Sequence, residues 1–289
     1  MTDRQLFEQY TIAKGFGPRL SLGDPNSNRS KFYSHWIRRA NANIDLVRQA
    51  YPRTPLIHFD FIQDAPTLNA FAFKVSGRYF IGFNSGTPYI LDTVFRTALC
   101  HPEVSSQIGN ATGEQADRAR LPDLQPNADA IFATPAALDN PRCPIRLQFA
   151  LMLTQYAFDF LLFHEIAHVM NGHLDFYESR HNQPFIGEVG WVGGSSAEQL
   201  VRQVIELDAD STAAGVLINN LFEVATNPRY RPAPDWVQFY PNFQQALTHW
   251  LFAAGILFRL FGDSPFDAKD LPKSEYPPTR LRQVNLANQ

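Results

Sequence analysis

His164, Glu165 and His168 stand inside the apolar run LLFHEIAHVMNGH at residues 161–173. One helical turn separates the two histidines, so both imidazoles project from the same face and can meet one metal ion, with Glu165 beside them. That spacing is the H-E-x-x-H zinc motif. A helix flanked by Phe160, Leu162, Phe163, Ile166 and Val169 cannot bury two histidines and a carboxylate without a large desolvation cost unless something binds them. Three fixed residues recur by accident in roughly one chain of this size in a hundred, so the motif needs a second half elsewhere.

Catalytic zinc takes three protein ligands and a water, and two histidines leave it one short. In the metzincin pattern a third histidine lies ten residues after the first, with glycine three before it. Those positions hold Leu174 and Asn171, which excludes that class. His173 is one residue off and projects from a different side of the helix, so it reads as a polar helix-end residue rather than a ligand. The segment Glu-Leu-Asp-Ala-Asp at 206–210 answers the shortage. Glu206 and Asp210 share a helical face, so one carboxylate can bind metal while the other accepts the N–H of a liganding histidine. Taken alone, with Arg202 one turn earlier, these residues would read as a solvated charge stripe; the upstream motif reverses that preference.

The elements that must position these residues follow from pattern. The motif helix reads from about residue 146 to 173, hydrophobic on nearly all sides and therefore central to its domain, with a stop at Asn171-Gly172. A glycine-rich connection at 185–196 leads into the acidic helix, for which Ser195 or Ser196 is the N-cap. Upstream, residues 1–23 are punctuated by glycine and proline, and a helix is expected over 31–51 with its start at Ser30. The stretch LIHFDFIQ (56–63) alternates like a strand, and 69–86, rich in aromatic residues and broken at Ser76-Gly77, predicts a β-hairpin. A short helix is expected over 88–95. The proline-rich tract 100–146 reads as an irregular insertion, either a lid near the cleft or a solvated loop. The run at 246–261 is shorter than a bilayer span and contains Thr248, His249 and Arg259, which makes it a buried helix and not a membrane crossing. The expected fold is α+β: one mostly helical domain over 1–289, with a small sheet or hairpin over the central motif helix.

The chain has 289 residues, 45% of them hydrophobic, enough to bury a sizeable core. With a net charge of −3 and its Lys and Arg scattered, it lacks the basic footprint of a nucleic-acid binder. Cys100 and Cys143 are too few for a disulfide framework, and the first residues lack the apolar core of a signal peptide, so a cytoplasmic location is expected. The 24 Phe and 10 Tyr are expected to fill the core.

In chain order, NAFAF (69–73), HEIAHVMNGH (164–173), ELDADSTA (206–213) and YPPTRLRQVNL (276–286) resemble motifs of gluzincin peptidases of the CAAX-prenyl protease and HtpX family. The Lit-type phage-exclusion peptidases carry a similar series without membrane spans. The resemblance implies a zincin-like fold in which His164, His168 and Glu206 bind Zn2+, Glu165 is the general base and Asp210 orients a histidine. It also implies that Asn69, Ala70, Phe71 and Ala72 line the cleft and hold an extended peptide by edge pairing. Arg282 matches the family's C-terminal arginine, whereas Tyr276 stands where the family has histidine, and the family's membrane helices are missing. A developing oxyanion needs a donor besides zinc, for which Tyr276, His249 and Arg282 are the candidates. The expected function is a soluble zinc-dependent endopeptidase acting on a protein or peptide substrate. The alternatives are a regulatory peptidase similar to the ImmA and IrrE class that cleaves repressors, and a non-catalytic binding protein stabilised by zinc.

Overall fold

Helix α1 (Asp3–Ala13) begins on a reciprocal cap in the computed structural model, which describes residues 1–114, 140–181, 185–187, 195–227, 229, 234–262 and 277–287. The Gln5 N–H donates to Thr2 Oγ1 at 3.3 Å and the Thr2 N–H donates to Gln5 Oε1 at 2.9 Å, satisfying two of the amides that a helix start leaves open. Helix α2 (Asn28–Ala50) starts on a one-way cap at Ser27, three residues before the expected start, with the Ser27 hydroxyl accepting from the Ser30 N–H. It buries Trp36, Ala40, Ile44 and Val47 at helical spacing.

Strands β1 (Ile57–Ile62), β2 (Ala70–Val75) and β3 (Arg78–Asn84) follow. Ser76 and Gly77 join β2 to β3 with φ of 50° and 72°. Two successive left-handed residues make the tight hairpin whose twist suits the flanking strands. With β4 (Phe185–Gly187), the sheet has the order β1-β3-β2-β4; β1 runs parallel to β3, and the other neighbours are antiparallel. Phe7 from α1 joins Ile62, Phe71, Phe73 and Phe80 in a fully buried cluster against this sheet. Among the described residues the further α-helices are α3 (Gly86–Leu99), α4 (Pro144–Met170), α5 (His173–His181), α6 (Ser196–Thr226), α7 (Phe243–Leu260) and α8 (Thr279–Ala287). The fold is mostly helical with a small mixed sheet, hence α+β. Among the described residues no helix is long and apolar enough to cross a membrane.

Two compact units share the chain, and their boundaries fall inside α3, α4 and α6. The first comprises Met1–Pro88, Leu161–Asp210 and Asp267–Pro277; it holds the sheet and the second half of α4. The second comprises Tyr89–Phe160, Ser211–Phe266 and Pro278–Gln289.

Within the second unit, the expected 100–146 insertion is partly described. Residues 100–114 wrap around Arg146, in the first turn of α4, which has no exposed surface. Its Nε donates to Leu99 O, Nη1 to the carbonyls of Ser105 and Ile108, and Nη2 to those of His101 and Val104, all at 2.8–3.1 Å. Glu114 lies 3.6 Å from the same Nε and accepts from the Arg142 and Cys143 amides just before the helix. All five guanidinium protons are therefore used to hold a loop that has little regular structure of its own. The remainder of the tract, 115–139, and with it the lid reading, lies outside the described residues. Replacing Arg146 by methionine strands these buried carbonyls and the Glu114 charge, so we expect a loss of about 3–5 kcal/mol in urea unfolding, with lysine intermediate.

Candidate metal centre

From Phe158 to Val169, every residue of α4 is buried, so the helix offers its ionisable side chains no water. His164 has 0% and Glu165 and His168 have 1% relative exposure. The helix stops at Gly172, whose φ of 74° is the left-handed conformation that ends many helices, and α5 restarts at once with His173. Two residues of the sheet tie α5 to it. Lys74 on β2 donates to Asp175 and Glu178 at 2.6 Å each, and the Tyr79 hydroxyl on β3 donates to Asp175 at 2.9 Å. The hydrogen bonds it donates to Asp175, then to Glu178, raise the Lys74 ammonium above its ordinary value.

Helix α6 brings the acids. Its start is capped by Ser195, whose hydroxyl accepts from the Glu198 N–H while the Glu198 carboxylate accepts from the Ser195 N–H. One turn before Glu206, the guanidinium of Arg202 donates to the carbonyl of Gly187 on β4 at 3.0 Å. Arg202, Glu206 and Asp210 are all buried, so the exposed charge stripe that the sequence also allowed does not form.

The ligand atoms of His164, His168 and Glu206 lie within 4.8 Å of one another. His164 Nε2 is 3.0 Å from His168 Nε2 and 3.2 Å from Glu206 Oε2, and His168 Nε2 is 3.9 Å from the same oxygen. On its other side, His164 Nδ1 meets Asp210 Oδ1 at 2.9 Å. An ionised carboxylate can only accept, so the proton sits on Nδ1 and Nε2 is left with a lone pair. Both carboxylate oxygens of Glu206 are buried, and neither has a hydrogen-bond donor among the described residues. A buried carboxylate facing a nitrogen lone pair is repulsive in a dry site; a cation relieves it. Two imidazoles and one carboxylate form a donor set of catalytic zinc, leaving one position for water, so these residues fit that ion.

His173 approaches the cluster from behind. Its Nδ1 is 2.9 Å from His168 Nδ1, and its Nε2 is 3.1 Å from Asp208 Oδ2, which also accepts from the Asn171 amide at 2.6 Å. Burial pushes the His173 imidazole below its ordinary value, against the pull of Asp208. Sequence reasoning set His173 aside as a helix-end residue and passed over Asp208. The signal was Gly172: a left-handed break folds the next residue back toward the helix just ended.

Asn69 lies at the entrance to β2, with its amide and carbonyl bonded to the Thr87 hydroxyl at 3.2 and 3.0 Å. Its Oδ1 is buried with no hydrogen-bond partner among the described residues. Ala70, Phe71 and Ala72 have fully buried side chains. The expected edge pairing through this strand is corrected by the topology: β2 is interior, and Phe71, Ala72 and Phe73 are paired on one side with β3 and on the other with β4. Two oxyanion candidates belong to the second unit. There His249 Nδ1 faces the Phe239 carbonyl at 3.2 Å and its ring meets Phe149 edge-on, while the Arg282 guanidinium sits 4.5 Å over the Phe258 ring. Tyr276 lies outside the described residues.

No known family model, curated protein or solved structure matches this chain. The geometry predicts one zinc equivalent on the purified protein. Substituting His164 or Glu206 by alanine should weaken zinc binding, measured against a chromophoric chelator, beyond the roughly 10–100-fold typical of losing only an orienting neighbour. Equal affinity in wild type and both variants would remove these residues as ligands.

Proposed function

We propose that the protein is a zinc-dependent endopeptidase of gluzincin type, acting on a protein or peptide substrate. The convergence of His164, His168 and Glu206 from two helices carries this reading. Zinc held by the three would supply a Lewis acid that brings the pKa of water toward neutrality and polarises a carbonyl. Every other role falls to the chain itself. Glu165 follows ligand His164 directly on a buried helix, takes the proton of the attacking water and returns it to the leaving amine. Asp210 keeps the His164 proton on Nδ1, so that its Nε2 remains a donor to the metal.

Asn69 and Ala70 extend past the last β2–β4 pair at Phe71, which leaves this end of the strand as the part of the NAFA stretch assigned to substrate. Three ligands with no cysteine leave the coordination incomplete, which favours chemistry over a purely structural zinc site.

Glu165→Gln should keep its zinc yet lose about 10²–10⁴-fold in cleavage of an unfolded protein substrate such as a casein. Chelation should silence the wild type and added zinc should restore it. A Glu165→Gln protein that cuts at the wild-type rate would sink the mechanism.

A further inference from the structure

The two liganding histidines are held from behind in different ways. His164 leans on a fully buried carboxylate, Asp210, in one step. His168 leans on a second imidazole, His173, which in turn leans on Asp208, an acid with 52% of its side chain exposed. Tautomers follow from the outer end inward. Asp208 accepts, so the His173 proton sits on Nε2 and its Nδ1 carries a lone pair. That lone pair accepts the Nδ1–H of His168, which leaves the His168 Nε2 lone pair directed at His164 Nε2 and Glu206.

We propose that His173 and Asp208 are positioning residues for His168, forming a two-step relay that sets its tautomer and ring orientation for metal binding. The inference rests on the reading of His168 as a metal ligand. The local chain is built for such a relay. Gly172 turns α5 back so that His173 reaches His168, the Lys74 and Tyr79 contacts hold α5 on the sheet, and Asn171 fixes the Asp208 carboxylate. Asp208 sits between the ligand Glu206 and the orienting Asp210 on α6, so three acids within five residues take three different roles. The relay has one more soft joint than the His164–Asp210 pair. Its outer acid meets water, which makes the His168 arm the more adjustable of the two.

Zinc affinity of the full-length protein, measured by chelator competition, tests this with His173→Phe, His173→Ala, His173→Asn and Asp208→Asn. The phenylalanine variant keeps the ring volume and loses the acceptor, and we expect affinity to fall about 10–100-fold. Asparagine places an amide oxygen near the former Nδ1 and should recover most of that loss. Asp208→Asn, at an exposed position, should weaken binding less than His173→Phe. A structural role alone would not give the asparagine rescue. Proton NMR of the zinc-loaded protein adds a direct readout: three hydrogen-bonded imidazole protons are expected downfield in wild type, on His164 Nδ1, His168 Nδ1 and His173 Nε2, and only that of His164 in His173→Phe.

If wild type and His164→Ala bind zinc equally, the metal site itself fails. If wild type binds zinc and His173→Phe binds it equally with the downfield His168 Nδ1 proton unchanged, only the relay is overturned. Should His173→Phe not fold, the remaining variants decide: wild-type affinity in both His173→Asn and His173→Ala, with no change in Asp208→Asn, overturns it.

Discussion

Three acceptors turned toward one another without water set the terms for the rest of the first unit. Two imidazole nitrogens and a carboxylate oxygen lie 3.0–3.9 Å apart in a site with almost no exposed surface. Their mutual repulsion grows as the local dielectric falls, and the attraction of each for a shared cation grows with it. An apolar α4 is therefore part of the case for a metal site. By excluding water it makes the acceptors costly to leave unpaired, and that cost is the physical pressure toward the proposed cation. The same helix with polar flanks would hydrate its histidines and lose that pressure.

Holding such groups in register requires restraint from outside the cluster, and the structure supplies it through a neighbouring side chain to the two histidines and through the helix alone to Glu206. Asp210 fixes His164, and the His173 ring stands against His168. Glu206 receives no side-chain restraint of this kind among the described residues; its place comes from the helix that carries it. Arg202, one turn earlier, bonds that helix to the carbonyl of Gly187 on β4. A guanidinium with several planar donors suits this task better than an ammonium, because it can hold a fixed direction between helix and strand.

Much of this was legible in the sequence, because it depends on local periodicity. The H-E-x-x-H spacing, the Glu206–Asp210 pair and the Ser76-Gly77 hairpin each follow from fixed geometry over a few residues. The α1 helix was also written there, as a Thr2–Gln5 capping box, but the glycines and prolines that follow it drew the reading toward loop. The helix at α3 began earlier and ended later than its apolar core suggested. What no pattern could supply was strand order. β4 is only three residues long, and its pairing with β2 is non-local, so the NAFA strand looked like an edge when it is interior.

The histidine relay shows why the remainder escaped. Helical spacing places His173 away from the His164–His168 face only as long as the helix continues, and Gly172 ends it. Beyond that break the angle between residues no longer follows 100° per residue, so any argument from the helical wheel loses its meaning at that point. The same holds for Asp208, which points off the Glu206–Asp210 face yet meets a ring delivered by a different helix. The residues proposed to bind the metal, and Asp210 on the Glu206 face, are constrained by one helix at a time and can be read from spacing. His173 and Asp208 answer instead to the junction between elements, where one glycine dihedral decides which side chains meet.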